Sequence, residues 1–388
     1  MNDKNNLLDG LPEFTGKPIA VVTSDWHIAL NAWKKLPDIK GDADYSLKQI
    51  VDAAIAFQIP LIAAGDLFDV KHPDSYTVNA TAGHMARLHA AGLKCYYVQG
   101  QHEMANPTWF SLFPGCEHVH NKHFEISGVK LFGYDYFLPT SIEDSYNRFK
   151  PADVLVTHQV WSELLPHTGQ EFCCSYTLVG QQIPYKALIS GDFHSHFVTP
   201  VGAMKFVSPG SICLQDLKES CNKAMWIMTD KLEFVSVPYF SRKLVHFTID
   251  SEKSLHSLVS SADELVKANY QTLPNDIGRP IFRIRYSSAV DNVNAAITAA
   301  FKGKAHVDLV QVLDEENLAP LAVTEDNKEI DLNTDASFHE SLKDFCDVRD
   351  RGYSDLVGMW SARSVDDLRS HIGSIASDIR EKGSTEKV

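Results

Sequence analysis

Oxygen- and nitrogen-bearing side chains recur in five groups along the first half of this 388-residue chain. They are Asp25 and His27; Asp66 and Asp69; Gln101, His102 and Glu103; His158; and Asp192, His194 and His196. Carboxylate, amide and imidazole ligands with no thiolate among them suit Mn²⁺, Mg²⁺, Fe²⁺ or Zn²⁺ rather than a soft-metal site. They outnumber the needs of one ion, so two divalent ions are expected. Paired ions typically sit about 3.5–4 Å apart and clamp an in-line displacement at phosphorus. One carboxylate must bridge them, and Asp66, directly after Gly65, is best placed. His102, beside Glu103, would stabilise the transition state or protonate the leaving oxygen. Singly, each residue has a duller use: Asp25 and Asp66 could cap helices or order turns, His158 could be a buried hydrogen-bonded histidine, and His102 an exposed loop residue. Five such groups in one order make a shared crevice the better account.

Each group follows a short apolar run: Ile19–Val22, Leu61–Ala64, Tyr96–Val98, Val154–Val156 and Ala187–Ile189. Runs this short and this apolar predict strands buried on both faces of a sheet. Function in such sheets collects just past the strand ends. Leu47, Ile50, Val51, Ala54 and Ile55 repeat at helical spacing, and residues 77–91 form a second helical stretch, so strand–helix–strand crossovers and partly parallel pairing are expected. After His123 the rhythm changes to short runs (124–126, 129–134, 197–198, 205–207, 224–228 and 233–237), which predict a second, antiparallel or mixed sheet. The expected fold is α/β, with two packed mixed β-sheets flanked by helices.

Three segments are expected: residues 1–240 as the main domain, 241–310 as a small α+β unit, and 311–388 as an acidic linker with C-terminal helices. In the small unit, residues 244–249 are strand-like. Leu255, Leu258, Val259, Ala262, Leu265 and Val266 share one helix face, residues 280–286 alternate with period two, and 293–301 is helical. Residues 314–335 are acidic and turn-rich. Val365, Leu368, Ile372, Ile375 and Ile379 step by three and four behind a capping box at Ser364 and Asp367; this stripe could dock on a partner helix or on its own body.

Apolar content of 44% and charged content of 22% fit a globular protein. A net charge of −14 argues against a surface basic all over. It leaves room for a nucleic-acid enzyme, because metal ions offset clustered carboxylates. No run is long and apolar enough to span a bilayer and the first ten residues are unlike a signal peptide, so a cytoplasmic protein without a membrane partner is expected. Seven scattered cysteines with no Cys-x-x-Cys pair fit thiols in a reducing compartment.

In order, Asp25-x-His27, Gly65-Asp66, Gly100-Gln101-His102-Glu103, Thr157-His158 and Gly191-Asp192-x-His194 resemble the motifs of calcineurin-like metallophosphoesterases. The similarity is closest to the SbcD-type nuclease subunit of DNA double-strand-break repair complexes. Gly65-Asp66-Leu67-Phe68, the turn Ser208-Pro209-Gly210-Ser211 and a small unit after residue 240 narrow it. The resemblance implies one metal on Asp25, His27, Asp66 and His194, and a second on Asp66, Gln101, His158 and Asp192. His102 would be the catalytic histidine, with Mn²⁺ expected first. It also implies a DNA exo- or endonuclease working with an SbcC-type coiled-coil ATPase, a capping unit that recognises DNA, and a homodimer as an option. A stand-alone phosphatase or small-molecule phosphodiesterase, and a scaffold with a decayed site, are the alternatives.

Four positions depart from the pattern. Gln101 stands where Asn is usual, Glu103 where Asp is usual, and Asp192 replaces the first histidine of Gly-His-x-His. A rival register would pair His194 with His196. Asp69 occupies a place where the nuclease subgroup often has a further histidine.

Overall fold

A computed structural model describes residues 14–29, 36, 39–164, 173–271, 273 and 277–312. In chain order the first elements are β1 (Pro18–Thr23), α1 (Asp42–Phe57), β2 (Leu61–Ala64), α2 (Ser75–Ala90), β3 (Cys95–Val98) and β4 (Cys116–His118). There follow β5 (Lys122–Ile126), β6 (Val129–Tyr134), α3 (Ile142–Asn147), β7 (Val154–His158), α4 (Tyr176–Gln182) and β8 (Ala187–Gly191). Next come β9 (Phe197–Val201), β10 (Met204–Ser208), β11 (Ala224–Thr229) and β12 (Phe234–Pro238). The last described elements are β13 (Leu244–Ile249), α5 (Glu252–Ser260), α6 (Ala262–Asn269), β14 (Ile281–Ser287), α7 (Val293–Phe301) and β15 (His306–Val312).

The strands make two six-stranded sheets, ordered β12-β11-β1-β2-β3-β4 and β5-β6-β7-β8-β10-β9. Both are mixed. β1, β2, β3 and β4 run parallel with β11 antiparallel to β1, while β6, β7, β8 and β10 run parallel with antiparallel β5 and β9 at the edges. Side chains alternate across each strand. On the first sheet Val21, Leu61, Ala63, Cys95 and Tyr97 pack outward beneath α1 and α2. Val22, Ile62, Ala64 and Val98 face inward and meet Leu131, Val154, Val156, Ala187, Ile189 and Val207 of the second sheet. Phe132, Leu155, Leu188 and Phe206 take the far face, beside Trp161 and Val179. This double burial explains why the sequence shows continuous apolar runs there.

Local pattern does not report sheet membership. β11 and β12, expected in the second sheet, return to the first, where β11 lies beside β1. The short polar β4 was not anticipated.

A third sheet, β13-β14-β15, is parallel throughout, with helices in its crossovers, so the unit expected as α+β alternates strand and helix. The single helix face expected across residues 255–266 is divided between α5 and α6. At the break, the Ser260 and Ser261 hydroxyls donate back to the Ser257 carbonyl, competing with the helical ladder. Two pairs of bonds fasten the segment before β13 to α1. Arg242 grips Asp42 through Nε (2.8 Å) and Nη2 (2.6 Å), and Gln49 exchanges two bonds with the backbone of Phe240.

Contacts divide the chain into Met1–Ala319 and Pro320–Val388. The acidic stretch 314–335 and the Val365–Ile379 stripe lie outside the described residues. Among the described residues no helix is long and apolar enough to cross a membrane. Among the described residues Cys95, Cys116, Cys174, Cys213 and Cys221 are free thiols.

Candidate metal centre

The carboxyl ends of β1, β2, β3, β7 and β8 deliver the five groups to one crevice. Past β1 and β2 the loops stay in step: Asp25 N–H donates to the Gly65 carbonyl (2.9 Å), His27 N–H to that of Asp66 (2.9 Å) and Ile28 N–H to that of Leu67 (3.1 Å). Asp25, His27, Asp66 and Asp192 all hold positive φ, at 49°, 43°, 49° and 91°. Such backbone is uncommon outside glycine and costs on the order of 1–3 kcal/mol per residue, so the surrounding fold must enforce it. Glycines let the chains close in. A Cβ on Gly65, which has φ +86°, would collide with the His158 ring, and one on Gly191 would meet that ring and the Ala64 carbonyl.

Asp25, His27 and His194 form one ligand group, and Asp25, Asp66 and His158 a second. In the first, Nε2 of His27 and Nε2 of His194 lie 3.2 Å apart. Asp25 Oδ1 is 3.9 Å from His194 Nε2 and accepts the Asp192 N–H at 3.0 Å. In the second, His158 donates from Nδ1 to the Ala64 carbonyl (2.8 Å), which turns Nε2 into the crevice. That nitrogen is 3.3 Å from Asp66 Oδ2 and 3.9 Å from Asp192 Oδ1, fully buried, and makes no hydrogen bond. Asp66 Oδ2 also lies 3.8 Å from Nε2 of both His27 and His102, a central place for a bridging carboxylate. Gln101 Nε2 donates to Asp192 Oδ1 at 2.7 Å; turning the amide over would present its carbonyl oxygen instead.

The electrostatics suit cations. Burial acts to raise the Asp66 carboxyl, yet His158, His27 and His102 hold it well below the usual carboxylate range. Burial pushes Asp192 up, with Asp25 and Asp66 adding to the push. Burial also opposes charge on His158, but Asp66, Asp25 and Asp192 raise it well above an ordinary histidine. The pocket thus gathers carboxylate charge of the kind that divalent ions would offset. An inward-facing imidazole nitrogen without a partner, two more aimed at one another and three carboxylates fit a pair of divalent cations.

His102 stands at the mouth, its side chain 41% exposed. Its N–H donates to Asp66 Oδ1 (3.1 Å) and its Nδ1 pairs with the Asp69 carbonyl (3.0 Å), leaving Nε2 on the crevice side. Asp69 Oδ1 lies 3.2 Å from His27 Nδ1. Glu103 sits differently from the expectation that placed it beside His102 as a catalytic group. It is only 3% exposed, its Oε1 accepts the Gly100 N–H at 2.9 Å, and burial together with Asp66 raises its carboxyl to about 8. It frames the loop. His196 is not brought to the crevice either: Nδ1 pairs with the Pro209 carbonyl, Nε2 with Ser236, and the ring stacks on Trp226.

One residue escaped the sequence reading. Glu219 Oε1 pairs with His194 Nδ1 at 2.6 Å, from the loop between β10 and β11. Its only sequence signal is the four-residue step to Lys223, which pairs with its other oxygen. Burial opposes the Glu219 charge, but His194 and Lys223 hold the carboxyl down at about 2.

No family model matches the sequence. Among characterised proteins, the chain is 24% identical over 178 residues to the DNA double-strand break repair protein Mre11 of Methanosarcina acetivorans, covering 40% of this chain and 27% of that one. The Mre11 of Haloferax volcanii is 24% identical over 182 residues, covering 44% and 40%. The match therefore spans well under half of either relative. A solved archaeal phosphodiesterase overlays with a TM-score of 0.34 and 11% identity, across 57% of this chain and 99% of its own. In the order of its motifs and in its two packed mixed sheets the chain resembles calcineurin-like metallophosphoesterases, and over part of its length it is similar to these Mre11 proteins.

Proposed function

We propose that the chain is a two-metal phosphodiesterase that cleaves DNA, serving as the nuclease subunit of an SbcCD-like repair complex. Asp25, His27, Asp66 and His194 would hold one ion, and Asp66, Gln101, His158 and Asp192 the other. The observation that carries this is the buried, unpartnered Nε2 of His158 facing Asp66 and Asp192, beside the converging Nε2 atoms of His27 and His194. Bound ions would polarise the phosphoryl oxygens and offset the charge developing on them. His102, steadied at Nδ1 by the Asp69 carbonyl, would hand a proton from Nε2 to the leaving oxygen. Asp69 and Glu103 position rather than react. Mn²⁺ is the proposed metal, since the donor set is mainly carboxylate and imidazole.

Similarity to Mre11 proteins supports DNA as the substrate and repair as the setting. The third sheet is proposed as the capping unit that contacts DNA. Residues 365–379 are the proposed docking element for an SbcC-type ATPase, and a homodimer and a cytoplasmic location complete the proposal. The test is cleavage by the full chain with Mn²⁺ on single-stranded, blunt-ended and hairpin DNA, alongside a small chromogenic phosphodiester. DNA cleavage is expected, and His102→Ala should lower it about 10²–10⁴-fold while Mn²⁺ still binds. Turnover of the small diester with DNA left intact would replace the nuclease by a small-molecule phosphodiesterase.

A further inference from the structure

His194 is the most exposed of the three histidines proposed as ligands, with 31% of its side chain accessible, so burial alone does not fix its ring. A neutral imidazole carries one proton, and only the form with hydrogen on Nδ1 offers Nε2 as a ligand. Glu219 Oε1, 2.6 Å from Nδ1, selects that form. Its other oxygen, Oε2, takes bonds from Ser211 Oγ (2.8 Å), Lys223 Nζ (2.7 Å) and the Gln215 N–H (3.3 Å). Lys223 Nζ also donates to Ser211 Oγ at 2.7 Å, and the lysine is 5% exposed. Ser211 belongs to the turn that touches the crevice: its N–H donates to the His194 carbonyl (3.1 Å), and the next N–H, of Ile212, donates to the Asp25 carbonyl (3.3 Å). Two ligands of that ion group, His194 and Asp25, are therefore tied to the same turn that anchors Glu219.

We infer that Glu219 is a positioning residue that sets the tautomer and direction of His194, with Ser211 and Lys223 locking Glu219 in place. This rests on the metal-binding role proposed above. A carboxylate behind a ligating histidine fixes its orientation and raises its basicity, and losing such a partner typically costs 10–100-fold in metal affinity. The effect should fall on the ion held by Asp25, His27 and His194, and spare the one held by His158 and Asp192, whose histidine leans on the Ala64 carbonyl instead.

The experiment is calorimetric titration of the full chain with Mn²⁺ alone, with electron paramagnetic resonance of the bound ions. Wild type should bind two ions. Glu219→Ala should weaken one of them about 10–100-fold and leave the other unchanged. Glu219→Gln keeps an acceptor for Nδ1–H but loses the charge and presents an amide to Lys223, so it should fall between. Unchanged affinity for both ions in Glu219→Ala would overturn the proposal. If the alanine variant does not fold, unchanged affinity in Glu219→Gln does the same. A wild-type chain that takes up no Mn²⁺ would instead remove the metal-binding role itself.

Discussion

Nε2 of His27 and Nε2 of His194 meet at 3.2 Å, although 167 positions separate the two residues. Two ring nitrogens aimed at one another can share at most one proton, so the pair makes a poor hydrogen-bond network on its own. Nitrogens bound at about 2.0–2.1 Å to a single ion would span roughly 3–3.4 Å. The observed separation falls in that interval. His27 reaches this pose through a left-handed backbone, at φ 43°, and His194 through its bond to Glu219.

Asp66 is the residue whose loss should reach both ions, since its Oδ2 lies within 3.8 Å of Nε2 on His27, His102 and His158. Asp66→Asn should weaken both ions by more than the roughly 10–100-fold that follows loss of an outer partner. Mn²⁺ uptake by equilibrium dialysis checks this; a variant that still binds two ions tightly would remove Asp66 from the bridging position.

Cation binding should also show in stability. Asp25, Asp66 and Asp192 share one pocket, and ions that bind only the folded chain stabilise it by about 2.7 kcal/mol at a hundredfold excess over the dissociation constant. Thermal unfolding should therefore move up on adding Mn²⁺ and back on adding a chelator, with the increment lost in Asp66→Asn. The same increment in that variant would mean that the ions act elsewhere.

Two glycines should respond in opposite directions to the same substitution. A Cβ on Gly100 would lie 2.5 Å from the Asp66 backbone nitrogen and closer still to its carboxylate, so Gly100→Ala should destabilise the chain by about 1–3 kcal/mol and displace Asp66. Gly83, on the exposed face of α2, has nothing within 4 Å. There Gly→Ala should stabilise by about 0.5–1 kcal/mol. Urea unfolding of both variants gives the comparison, and equal effects would show that the approach to Asp66 is not tight.

Arg242 and Asp42 form a buried two-point ion pair between the third-sheet approach and α1. Arg242→Ala would strand a buried carboxylate and should cost about 3–5 kcal/mol. Pairing it with Asp42→Asn should recover much of that loss in a double-mutant cycle. A loss in the double variant equal to the sum of the two single losses would mean the two residues are not coupled.

Much of the site is legible in the chain because ligand chemistry is local: Asp25, His27, Asp66, His158 and His194 each follow a run apolar enough to be a buried strand. What the sequence withholds is long-range. Nothing in residues 224–238 tells that β11 lies against β1, because pairing depends on partners far away in sequence. Cys116–His118 is too short and polar to announce an edge strand. Glu103 follows His102 directly, yet the loop turns its carboxyl inward to the Gly100 N–H, a direction that residue type does not encode. His196 looks as competent as His194 in sequence, and only its bonds to Pro209 and Ser236 remove it. Glu219 stands 25 positions beyond His194, and nothing in that spacing says the two would touch.

The most direct measurement is anomalous diffraction from crystals of the full chain soaked in Mn²⁺. Two peaks about 3.5–4 Å apart are expected in the crevice, with Asp66 touching both, one beside His27 and His194 and the other beside His158 and Asp192. A crevice without anomalous density, or ions bound only at the surface away from Asp66, would leave the two-ion centre without support.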